Sequence, residues 1–132
     1  MDEKIVKDAL VLMKRTGNLL NEVEDLTRQI AQSVDRNDRV STEMLLAMRE
    51  EPLQTLQATD QALRGQLEDL PNRETAAKLA RMLNGGSPVQ AEDPLQKLLC
   101  DQVAANRRRL QQVIELDRRV NQRLTGEQPS YS

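Results

Sequence analysis

Between Ile5 and Ile30, apolar side chains recur in alternating steps of four and three residues: Ile5, Ala9, Leu12, Leu19, Val23, Leu26 and Ile30, with Thr16 the one polar residue in the series. A mean step near 3.5 is the period of a helix that lies against a neighbour along its whole length. A second column, Val6, Met13, Leu20, Thr27 and Val34, runs beside the first at sevenfold steps. A two-stranded zipper needs only the narrow seam. The added column widens the stripe to the arc of a helix that touches two neighbours in a bundle. The apolar inventory agrees: there are twenty leucines and neither Trp nor Phe. Leucine packs well between helices, whereas strands draw on Val, Ile and aromatics.

Turn chemistry divides the rest of the chain. "DRNDR" at 35–39 is a polar turn in which Asp38 or Ser41 is placed to cap the helix that follows. That helix carries Met44, Leu45, Met48, Leu56, Leu63, Leu67 and Leu70. Pro52 falls inside it, removing one backbone bond and clashing with the preceding turn at a cost of about 3 kcal/mol. A kink over 48–52, or two shorter helices abutting there, is expected. Pro71-Asn72 interrupts the pattern, and a short helix with Ala76, Leu79, Ala80 and Leu83 on one face follows. Gly85 or Gly86 can close it in the left-handed conformation, and Pro88 prevents resumption. Asp93-Pro94 then restarts helix, a cap followed by proline in the first turn. The last segment again alternates four and three through Leu99, Val103, Leu110, Val113, Val120 and Leu124, broadened by Leu95, Cys100 and Ile114. Asn106 and Asp117 fall on its seam, where a polar residue either sets register between helices or serves a partner groove.

The expectation is an all-α fold: an antiparallel helical bundle of three long helices or helix pieces plus a short one. One domain over residues 1–125 would hold helices at about 3–35, 40–70, 73–84 and 94–124, followed by a short, extended and flexible C-terminal tail at 126–132. Two long helices joined by a short turn run antiparallel. A turn centred near Asn37 puts Thr16-Gly17 opposite Ala58-Thr59. Close approach of small residues there would explain a glycine that otherwise costs about 1 kcal/mol in a helix.

Composition excludes much chemistry. The chain has no histidine, which removes Ser-His and Cys-His nucleophile pairs, the commonest general base and the Glu-x-x-His motif of di-iron bundles. A lone Cys100 makes neither an internal disulfide nor a zinc site. Its place on an apolar stripe reads as a small buried hydrophobe. "NGG" follows a helix and leads into proline, so it reads as a cap and not a phosphate loop. Catalysis, metals and cofactors are therefore not expected. Arg107, Arg108, Arg109, Arg118, Arg119 and Arg123 could meet phosphates, but single-strand readers also need aromatic platforms, which are absent here. Net charge is −2. Residues 1–70 hold nine basic and fourteen acidic side chains, and 94–132 hold seven and four. The last helix thus complements the first two, and nucleic acid is not expected as a partner. No apolar run nears the roughly twenty residues that span a bilayer, and the charged N-terminus has no secretory segment, which points to the cytoplasm without membrane insertion.

The one aromatic, Tyr131, lies in the terminal "LTGEQPSYS". With no aromatic in the core, it reads as a short-motif anchor rather than a packing residue.

The layout resembles the FlgN-type flagellar type III export chaperones. The likeness rests on a long Leu-rich first helix turning at "DRND" into "STEMLLAMREEPLQTLQ". It extends to a last helix "NRRRLQQVIELDRRVNQRL" and to Gly126 and Tyr131 of "TGEQPSY" behind it. The resemblance implies a cytoplasmic bacterial chaperone that binds the amphipathic C-terminal helices of hook-associated proteins and brings them to the export gate. By it, Val113, Leu116, Val120 and Leu124 would meet the substrate helix and Tyr131 the gate. Such a protein would act as a monomer or homodimer. The competing expectation is a homodimeric coiled-coil adaptor or regulator without catalytic activity, with a nucleic-acid-associated bundle and an enzyme behind it.

Overall fold

A computed structural model of the chain describes residues 1–85 and 91–126. It contains α1 (Glu3–Asp35), α2 (Arg39–Asp69), α3 (Arg73–Asn84) and α4 (Pro94–Thr125), with no strand among the described residues. The fold is an all-α bundle.

Each helix end has a local cause. The Asp2 carboxylate accepts from the Lys4 N–H at the start of α1. At its other end Asn37 takes the left-handed conformation at φ 56°. The Asn37 N–H then donates to Val34 O and the Asp38 N–H to Ser33 O, the paired bonds of a Schellman turn. Asp38 serves twice, because its side chain also caps α2 by accepting from the Ser41 N–H. Asn72 caps α3, and Gly85 ends it at φ 62°. Asp93 caps α4 ahead of Pro94, and Gly126 ends α4 at φ 71°.

The helix with the widest apolar stripe is the axis of the bundle. α1 packs along both α2 and α4, while α2 and α4 barely touch each other, and α3 packs on α4 and α2. α2 runs antiparallel to α1: the buried Ser33 and Thr42 hydroxyls lie 2.6 Å apart beside the turn, and Arg49 reaches Thr27 further along. α4 runs parallel to α1, with Asn106 on Met13, Arg109 on Glu24 and Arg123 on Asp35. The three long helices are therefore up, down, up.

The apolar core has two centres. One joins Val6, Ala9 and Leu10 of α1 to Leu63, Leu79, Met82, Leu99 and Val103, so all four helices contribute. The other joins Leu26 and Ile30 to Leu45 and Val120 near the turn. Polar layers separate them. Asn106 donates to Met13 O at 2.8 Å and accepts from Gln102 Nε2 at 2.9 Å. About three turns on along α4, Arg49 Nη1 donates to Thr27 Oγ1 at 3.1 Å and to Asp117 Oδ1 at 2.7 Å. Asn106 and Asp117, the two polar seam residues of α4, thus set register between helices.

Two sequence expectations are corrected. α2 is one unbroken helix through Pro52, not two abutting pieces. Thr42, Leu45, Pro52, Thr59 and Leu63 are all buried. Burial on both sides of the proline keeps the two halves in one helix despite the lost bond. Gly17 is buried, but its close neighbour is α4, not Ala58-Thr59 of α2. A Cβ on Gly17 would lie 2.8 Å from Gln102 Nε2 and 2.9 Å from Asn106 Oδ1.

Candidate partner-binding groove

Because α2 and α4 flank α1 without closing over it, a groove of about 380 Å³ runs between them. Met13, Thr16 and Leu20 of α1 form its floor. Leu56, Gln57 and Asp60 form the α2 wall, and Val103, Arg107 and Leu110 the α4 wall. The heptad columns put these side chains here. Thr16, the polar break in the first seam, and Met13 and Leu20 of the second column lie between the lines along which α1 meets its two neighbours.

Both ends of the groove are bounded. Leu83 of α3 closes one, where Arg107 Nη1 donates to the Asn84 carbonyl at 2.6 Å. The Arg49–Asp117 ion pair bridges α2 and α4 toward the other, Thr27 beneath it lying two turns beyond Leu20. Arg49 is largely buried, and its Nε has no partner among the described residues. Between these limits the groove is open to solvent, its walls apolar at Leu56, Val103 and Leu110 and polar at Gln57, Asp60 and Arg107. Leu110 is 44% exposed, and Ile114, one turn on along the same face, is 42% exposed. Leu53, three residues before Leu56 on α2, is 39% exposed.

Charge lines the rim and spares the floor. Asp60 is paired with Arg64 at 3.1 Å within α2. On the opposite side of α4, Glu24 is buried and accepts from Arg28 at 3.0 Å and Arg109 at 3.5 Å, its second oxygen without a partner among the described residues. Cys100 stands apart on the first core cluster, its thiol pushed above the usual value by burial and then by Asp101, with Lys97 opposing. Among the described residues no group of Cys, Asp and Glu side chains is placed to hold a metal ion, and no helix is long and apolar enough to cross a membrane.

The residues expected at a partner site do not converge here. Val113 and Val120 are 8% and 2% exposed and belong to the bundle interior, Val120 in the cluster near the turn. Leu116 is half-buried on the far side of α4, beside Glu24 and Arg119. Leu124 is exposed near the α1–α2 turn, beside Val34 and Thr42. Tyr131 lies outside the described residues, as does the rest of 127–132. The open apolar residues of α4 beside the groove are instead Leu110 and Ile114, with Leu98 and Leu124 exposed toward the two ends of the helix. Their signal was in the sequence: the α4 stripe, broadened by Ile114, is wider than contact with one helix can cover.

No family model matches the chain, and neither the curated proteins nor the solved structures include one significantly similar to it.

Proposed function

We propose that this protein is a helix-binding chaperone of the flagellar export type, cytoplasmic and without catalysis. It would hold the amphipathic C-terminal helices of hook-associated proteins until they reach the export gate. One observation carries the reading: an apolar groove stands open between two helices that flank a third and, along this stretch, do not close over it. An added helix with anchors at i, i+3, i+4 and i+7 can lie over Leu20 and against Leu56 and Leu110, occupying the place of a fourth bundle helix. Its own apolar face is masked while it stays there. The family resemblance supplies the partner's identity and the gate role of Tyr131; the open groove supports the mode of binding.

The test is a fluorescence titration of the full chain with labelled C-terminal segments of hook-associated proteins, repeated with Leu110→Glu. Leu110 is exposed, so the substitution should leave folding stability within about 0.5 kcal/mol. Binding should fall at least tenfold, by analogy with a charge placed in a helix-docking groove. Absence of binding, or equal binding by the variant, rejects the proposal.

A second reading has its own support. Val40, Met44 and Met48 are exposed at i, i+4 and i+8 on α2, a stripe that a second copy could cover in a homodimeric adaptor. Light scattering separates the two. A concentration-independent dimer lost on Met44→Glu favours the adaptor, and a monomer favours the chaperone.

A further inference from the structure

We infer that the helix taken by this groove carries an acidic flank, with carboxylates about three turns apart that meet Arg107 and Arg118 of α4. The inference rests on the helix-binding reading above and adds the chemistry and orientation of the occupant.

Arg109 and Arg123 of α4 are consumed within the bundle, by Glu24 and Asp35. Arg107 and Arg118 have no carboxylate partner among the described residues. Arg107 gives one bond to a carbonyl, that of Asn84, and keeps its charge unneutralised. Arg107, Gln111, Ile114 and Arg118 stand at i, i+4, i+7 and i+11, one exposed edge of α4. The exposed apolar pair Leu110 and Ile114 is therefore bracketed by two free guanidinium groups about 16 Å apart along the helix. The α2 lip has the opposite character. Asp60 is already paired with Arg64, and Glu50, three residues before Leu53, has no cation partner among the described residues.

The rims thus differ in sign across one apolar floor. An occupant helix gains by turning carboxylates toward α4 and neutral or basic side chains toward α2, and is repelled when rotated the other way. Guanidinium groups pair carboxylates with good geometry, and rim charges set orientation and partner choice more than bulk affinity.

The test uses the full chain and two synthetic helical peptides with one shared apolar stripe. One carries Glu at i and i+11 of a single flank, the other Lys at the same places. Anisotropy titration at low salt should favour the Glu peptide roughly tenfold, the preference shrinking in high salt. The variant R107E/R118E, checked for unchanged helicity, should reverse the preference. Equal affinity for both peptides, unmoved by that variant, overturns the inference and leaves helix binding standing. Binding of neither peptide overturns both readings. Tight, salt-sensitive capture of a single-stranded oligonucleotide through the same arginines, with no peptide preference, overturns the inference in favour of nucleic acid.

Discussion

Asn106 of α4 sits directly over Gly17 of α1, close enough that a Cβ on the glycine would fall 2.9 Å from the Asn106 Oδ1. The asparagine is tied to α1 by its bond to the Met13 carbonyl and to its own helix by Gln102. A residue with no side chain and a residue with a short polar one therefore form a single device, which fixes the parallel register of α1 and α4.

That pairing makes the effect of Gly17→Ala depend on its partner. Alone, the substitution should lower stability by about 1 kcal/mol, because loss of the Asn106 bonds outweighs the gain in helix propensity. In an Asn106→Ala background the loss should shrink to near zero, the propensity gain then opposed only by the Gln102 amide, which has lost its Asn106 partner and can swing aside. Urea melts of the four proteins give the coupling, and strict additivity would discard the device.

The Arg49–Asp117 bridge should behave as a mostly buried pair. Asp117→Ala strands a guanidinium whose side chain is 13% exposed, and should cost about 2–3 kcal/mol, somewhat below the loss expected on breaking a fully buried pair. Arg49→Met/Asp117→Leu should recover most of that. A double variant no more stable than Asp117→Ala, measured by chemical unfolding, would count against this.

Pro52 is tolerated at a cost that packing offsets. Pro52→Ala should restore the bond to the Met48 carbonyl and stabilise the protein by about 1 kcal/mol, the gain reduced by lost burial and by a freer unfolded chain. Thermal unfolding that shows a loss would instead mean that the proline ring is needed in the core.

Acid should act on the α1–α2 turn. The Asp38 carboxylate accepts from the Ser41 hydroxyl at 2.6 Å and from the Ser41 N–H at 3.1 Å. These bonds, the hydroxyl first, hold its pKa below the ordinary 3.8, with Arg36 adding to them against a small desolvation. A lowered folded-state value contributes stability that is present above the unfolded value and lost as pH falls through the folded one. Wild type should therefore weaken more below about pH 4 than Asp38→Asn, which caps without titrating. Parallel pH profiles from circular dichroism would remove Asp38 from the account.

Much of the architecture could be read in advance because it is local. Spacing between Ile5 and Ile30 specified a helix with two flanks to bury, and Asp38, Gly85 and Asp93 marked helix ends by caps that need only their own neighbours. The groove was less legible. Val113 and Leu110 lie close together on a helical wheel, yet one is buried and the other is open.

The sequence by itself determined that this chain forms helices, where most of them stop, and that α1 must touch two partners, since period and capping act over a few residues. Only the tertiary structure decided that Gly17 answers Asn106 and not α2, that α2 stays one helix through Pro52, and which α4 leucines stay uncovered. Those outcomes depend on how far apart α2 and α4 stand across α1, a distance set by the fit of side chains from remote parts of the chain.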